Sequence, residues 1–218
     1  MELPKNEGGN FTPAPAGTHA ARCVRFIDMG SHEQVYQGES KGLKRLVLLT
    51  FELPTEMMEA TDDLPERPFT ISKRYTWSMH EKSNLRHDLE SWRGKKFNDS
   101  DLGPGGFNVK NLLGVPATIT ITHDERDGRV YTNIASIGSP MKGMQTPDQI
   151  SPSVYVSLQK DLFDQEAFDQ LHENLQEKLK ATPEWQKLTG EKSPSMAPDY
   201  SGREQPPHHA DLDDEISF

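Results

Sequence analysis

Phe69-Thr70-Ile71-Ser72-Lys73-Arg74-Tyr75-Thr76-Trp77-Ser78-Met79 alternates in character residue by residue, and it reads as a β-strand. The two-residue period puts Phe69, Ile71, Lys73, Tyr75 and Trp77 on one face. The period then changes: across residues 81–92, Leu85, Leu89 and Trp92 recur at helical spacing, and Gly94 is placed to close that helix. A strand that leads straight into a helix, with more strands on either side, decides the fold.

Two strands precede it. Residues 18–29 alternate, with Ala20, Arg22, Val24 and Phe26 on one face and His19, Ala21, Cys23, Arg25 and Ile27 on the other. After a polar loop at 30–42, residues 43–53 form the strongest strand pattern, rich in large and β-branched apolar residues. Residues 54–68 read as a long acidic loop between prolines. Downstream come a short helical piece at 109–113 and two alternating segments, 116–123 and 129–137. The Asp127-Gly128 pair between these last two is a hairpin signal. Three strands, a helix and a hairpin follow the order of an OB-fold, a five-stranded Greek-key barrel. Another small barrel or a β-sandwich with one helix fits the same count. The expectation is a mainly β protein: an OB-fold barrel over 18–139 with one inserted helix, then a helical segment and a disordered acidic tail.

Outside the barrel, residues 1–17 read as an extended arm and 140–152 as a linker, each punctuated by Gly and Pro. Residues 153–158 are a short extended piece. Residues 165–180 pattern as one amphipathic helix with Phe168, Leu171, Leu175 and Leu179 on a stripe. That stripe leaves three uses open: packing on the barrel, a contact in a homodimer, or a partner site. Thr182-Pro183-Glu184 has the signature of a helix start. The segment 140–189 is therefore linker and helix, 190–210 is a Pro, Ser, Glu and His tether with the composition of disorder, and 211–218 is an acidic tip.

The net charge is −10, but its distribution matters more than its sum. Residues 151–218 hold six Lys/Arg against fourteen Asp/Glu, so the barrel region is close to neutral and carries local basic clusters. The single cysteine, Cys23, has no intrachain partner for a disulfide, which suits a reducing compartment. No apolar run approaches the ~20 residues of a membrane span, and the start carries no signal-peptide pattern. A soluble, cytoplasmic protein is expected, in the bacterial host cytoplasm if the chain is phage-encoded.

Cations interleaved with rings are the chemistry a single-stranded nucleic acid needs: charges for phosphates and flat faces for bases. Lys73, Arg74, Tyr75 and Trp77 supply both on one strand. Arg22 and Arg25 on the first strand, Lys44 and Arg45 on the second, and Arg129 and Tyr131 on the last are further candidates. So is the basic run Arg93, Lys95 and Lys96 at the helix end, which also suits the helix dipole. Tyr75 and Trp77 could instead be core, and Trp77 is the stronger candidate for burial. Enzyme signatures are missing: there is no phosphate-binding Gly-x-x-x-x-Gly-Lys loop and no His-Glu-x-x-His. His208, His209 and Asp211 could chelate a metal, but a Pro-rich tail favours a solvated reading. Asp62, Asp63 and Glu66 read as a solvated loop. No cofactor and no enzymatic activity are expected.

The last residues, Asp213-Asp214-Glu215-Ile216-Ser217-Phe218, resemble the acidic tip of the bacterial single-stranded DNA-binding proteins, which ends Asp-Asp-Asp-Ile-Pro-Phe. Glu215 and Ser217 depart from that pattern, while the charge and both apolar anchors remain. The approach Asn111-Leu112-Leu113-Gly114 to the Asp-Gly hairpin, and Tyr131-Thr132-Asn133-Ile134-Ala135-Ser136-Ile137 after it, also look like phage replication-module proteins. The helical segment 160–189 has no counterpart in the bacterial family, whose tetrameric assembly is therefore not carried over. The resemblance implies single-stranded DNA as ligand. It also implies that Asp213, Asp214, Glu215, Ile216 and Phe218 recruit replication, recombination and repair proteins and compete with DNA for the basic groove. Two other classes remain in view: an OB-fold protein-interaction adaptor without DNA binding, and an annealing or recombination accessory enzyme.

Overall fold

In the computed structural model, residues 12–61, 65–126, 128–143 and 146–190 are described. Six strands form one sheet: β1 (Gly17–Tyr36), β2 (Glu39–Met58), β3 (Arg67–Thr76), β4 (Pro116–Arg126), β5 (Arg129–Gly138) and β6 (Val154–Val156). The hydrogen-bonded path runs β3-β2-β1-β4-β5, antiparallel throughout, and β6 joins β1 in parallel. The chain is mainly β.

β1 makes this path possible because it changes partner along its length. Residues 17–22 pair with β4, from Gly17↔Ile121 to Arg22↔Pro116, while residues 22–36 pair with β2. Register shifts at 23/25, 28/30 and 33/35 mark the bends, since an extra residue in one strand increases local twist. The polar stretch 30–42, expected to be a loop, is instead the end of a long β1–β2 ribbon. It turns at Gln37 and Gly38, whose φ values of 51° and 82° suit a mirror-image two-residue turn. β2 likewise continues through residues 54–58, where Met57 and Met58 pair with Pro68 and Arg67 beyond another irregularity. In both places composition suggested a loop, and pairing with a neighbouring strand overrode it.

The helix α1 (Asn84–Arg93) lies between β3 and β4 as expected, capped by the Ser83 hydroxyl at its start and by Gly94 at its end. Leu85, Leu89 and Trp92 close the apolar cluster built by Phe26, Leu49, Phe51, Ile119 and Ile137. The Trp92 indole N–H donates to the Pro116 carbonyl at 2.8 Å, so this large side chain is buried without an orphaned donor. A 3₁₀ turn at Val109–Leu112 leads back into β4.

A second apolar layer lies on the other face of β1 and β2. Ile27, Met29 and Leu46 meet Val154 and Val156 of β6, Phe168, Leu171, Leu179 and Trp185. Where the pattern predicts one helix over 165–180, there are two: α2 (Gln165–Asp169) and α3 (Glu173–Lys180). His172 makes the break by capping α3, its Nδ1 accepting from the Asn174 amide at 3.3 Å. Phe168, Leu171 and Leu179 are all buried in the layer despite the break. α4 (Pro183–Thr189) begins as its sequence foretells, with the Thr182 hydroxyl capping and Pro183 in the first turn.

Buried polar contacts pin the segment that leads to this layer. The fully buried Glu52 carboxylate accepts from the amides of Ile150 (2.7 Å) and Ser151 (2.9 Å). Arg22 donates to the carbonyls of Pro147, Gly114 and Thr146. Residues 146–158 thus run along the sheet, and the stripe 165–180 is spent on the chain's own strands. No helix among the described residues is long and apolar enough to cross a membrane.

Candidate nucleic-acid interface

β3 presents its rings unequally. Tyr75 is 4% exposed, and its hydroxyl donates to Asp88 Oδ2 on α1 at 2.8 Å. Lys73 reaches the same oxygen at 2.7 Å. Burial, with the Asp88 charge and hydrogen bond beside it, raises the Tyr75 phenol well above its usual range. Trp77 is 38% exposed and stands where the strand leaves α1. Tyr75, not Trp77, is therefore the core ring, the reverse of the order that the sequence suggested.

Trp77 is held by its neighbours. Its amide donates to the Arg45 carbonyl at 2.7 Å, extending the β2–β3 ladder by one rung. Its ring meets Phe26 edge-on, with centroids 5.9 Å apart, and Phe26 in turn stacks on Tyr155 at 5.7 Å and 20°. The Lys110 amine lies over the Tyr155 ring, 5.6 Å from its centre. The Arg45 guanidinium forks onto the buried Asp28 carboxylate, through Nε to Oδ1 at 3.1 Å and Nη2 to Oδ2. Asp28 also accepts from the amides of Gly30 and Leu158, each at 3.2 Å. The hydrogen bond that Arg45 donates to Asp28 outweighs burial and raises Arg45 above its already high value, so its charge is permanent. Burial raises the Tyr155 phenol, against the Ser157 hydrogen bond that lowers it.

This gives a face with one exposed ring, one half-buried ring and two cations: Trp77, Tyr155, Arg45 and Lys110. The sequence candidates include Trp77 and Arg45 but miss Tyr155 and Lys110. Residues 153–158 read as a short extended piece, and β6 lies within it. The parallel pairing of Tyr155 with Phe26 spans most of the chain, and no local pattern encodes it.

The other candidates are scattered. Arg22 is committed to the carbonyls named above and lies 3.7 Å from Asp148. Arg25 is exposed and Lys44 half-buried, the latter opposite His32 on the ribbon. Arg74 is half-buried, and burial lowers it from its usual value. Arg93 packs over Phe97 at 4.2 Å and reaches Asp101 at 3.4 Å, so its charge serves the loop after α1. Lys95 and Lys96 beside it are exposed. Arg129 is exposed at the β4–β5 turn. Tyr131 lines an open groove of about 310 Å³ with Val130 and Thr132 of β5, Thr70, Ile71 and Ser72 of β3, and Ala14. Asp213, Asp214, Glu215, Ile216 and Phe218 lie outside the described residues, as do Asp62, Asp63, His208, His209 and Asp211.

Among the described residues, no group of three or more His, Cys, Asp or Glu side chains is placed to hold a metal ion. No protein-family model matches the chain, and no curated protein matches it.

Proposed function

We propose that the chain is a non-enzymatic, sequence-independent single-stranded DNA-binding protein of a phage-type replication or recombination module. In this reading the sheet is an OB-type barrel: the order β3-β2-β1-β4-β5, with a helix between β3 and β4, is the connectivity of that fold. The observation that carries the function is the exposed Trp77 ring set beside Arg45, with Tyr155 and Lys110 alongside. An indole face offers every base the same stacking surface, which makes binding tolerant of sequence. Lys110 supplies a phosphate contact, while the Arg45 charge is spent on Asp28, and the exposed Lys95, Lys96 and Arg129 extend the electrostatic reach.

The acidic tip plays two parts. Phe218 and Ile216 insert into a pocket on replication, recombination or repair proteins, while Asp213, Asp214 and Glu215 meet its basic rim. The same carboxylates, tethered to the protein at high local concentration, compete with DNA for its own cations. Removing residues 211–218 is expected to tighten DNA binding and abolish partner binding.

The test is a fluorescence titration with oligo-dT at low salt. Trp92 and Trp185 are 5% and 6% exposed, so quenching reports mainly on Trp77. Quenching that is lost in Trp77→Phe, together with a gel shift, is the expected result. Neither signal at low salt would favour a protein-interaction adaptor, and Mg²⁺-dependent cleavage would favour an enzyme.

A further inference from the structure

Asp28 on β1 is 4% exposed, yet its carboxylate is the meeting point of three segments. Arg45 of β2 donates to it through Nε at 3.1 Å and through Nη2. The amides of Gly30 and Leu158 donate at 3.2 Å each. The Arg45 carbonyl in turn accepts from the Trp77 amide, and Leu158 follows β6, the strand that carries Tyr155. One carboxylate therefore joins the pieces of chain that bring Arg45, Trp77 and Tyr155 to the same face.

It also sets the charge of that face. The Arg45 side chain is 30% exposed and that of Asp28 is 6% exposed, so the cation reaches the surface while its counter-charge lies below. Glu184, held by Ser31, places a second negative charge near the same guanidinium. A phosphate cannot take Arg45 over at low cost, because the exchange would leave a buried carboxylate uncompensated. Lys110, over the Tyr155 ring, has no such buried anchor among the contacts described.

We propose that Asp28 is a built-in counter-charge: it holds Arg45 beside Trp77 and withholds the Arg45 charge from DNA, so that this face binds by stacking more than by phosphate attraction. The inference rests on the DNA-binding reading and names what tunes that site. Asp28 is a positioning residue, since it acts through Arg45 and touches no DNA itself.

The experiment is the oligo-dT quenching titration of the full chain across a salt series, on the parent and two variants. Asp28→Asn frees the Arg45 charge. Its logarithmic salt slope should steepen by about 0.7, the worth of one further phosphate, so that the gain in affinity from ~200 to ~50 mM salt grows roughly 2.6-fold. The double variant Asp28→Asn with Arg45→Met removes both charges together and should keep the parental slope. It exchanges a buried ion pair for a neutral one, so it decides the matter even where the single variant does not fold. An unchanged or shallower slope in folded Asp28→Asn would overturn the proposal. So would a slope shallower than the parent's by about 0.7 in the double variant, which would mean that Arg45 already holds a phosphate. Absence of quenching in the parent is a different failure: it removes the DNA-binding reading, and this inference with it.

Discussion

Tyr75 and Trp77 lie two residues apart, one on β3 and the other just past its end, yet one belongs to the core and the other to the surface. The alternation in 69–79 fixes which side chains share a face, but depth depends on what covers that face. α1 covers Tyr75 through Asp88, and β3 ends at Thr76, before Trp77 can be covered. The two substitutions should therefore separate. Trp77→Ala is expected to weaken oligo-dT binding by about 1–3 kcal/mol, roughly 5- to 150-fold, with little change in the denaturation midpoint. Tyr75→Phe should leave binding unchanged and cost roughly 1 kcal/mol of stability, because it removes one hydrogen bond while Asp88 keeps Lys73. A denaturant melt and an oligo-dT titration on both variants check this. Cys23 offers a plainer residue-scale prediction. With its thiol raised to about 12 and no exposed surface, it should resist a thiol reagent in the native protein and react after unfolding.

At the scale of elements, the sequence revealed local order well and long-range partnership poorly. The α1 helix, its Gly94 end and the Thr182-Pro183 start of α4 were all legible because caps are local chemistry. The ribbon at 31–44 was not, because its polar residues gain their strand conformation from each other across the hairpin. Nor was the seat of α2–α4, which rests on contacts between residues more than a hundred positions apart. Gly30 shows how close that seat is: its φ is 71°, and a Cβ there would lie 2.7 Å from the Thr182 hydroxyl. Gly30→Ala should cost about 1–3 kcal/mol through overpacking and left-handed strain. Glu184 ties α4 to the ribbon, accepting from the Ser31 hydroxyl at 2.6 Å and the Ser31 amide at 2.8 Å. Burial works to raise this carboxyl, but the Ser31 hydrogen bonds and the Arg45 charge prevail and hold it below its usual value. Its stabilising effect is thus complete above the ordinary value of 4.5 and is lost as pH falls through the lower folded value. Glu184→Gln should cost roughly 1 kcal/mol at neutral pH, trimmed by screening at this half-buried site. The difference from the parent should shrink in melts taken below pH 4.5.

At the scale of the whole molecule, a net charge of −10 conceals a division of labour between a near-neutral sheet and an acidic C-terminal third. The five strands of the antiparallel path and the inserted helix follow from patterns that the sequence displays openly, whereas the sixth strand and its pairing with β1 do not. The approach of β3 and β5 across the groove does not, since it arises from twist accumulated over the path between them. The Trp77 face was half legible: β3 and β2 contribute Trp77 and Arg45 from strands that announce themselves, while Tyr155 and Lys110 arrive from segments whose location depends on the finished fold. The central claim concerns that assembled face. Its most direct measurement is the affinity of the full chain for oligo-dT, read by tryptophan quenching across a salt series. The account predicts saturable quenching at low salt and an affinity that falls linearly on logarithmic axes, with a slope of about −0.7 for each phosphate neutralised. Absence of quenching at the lowest salt, or an affinity indifferent to salt, would contradict it.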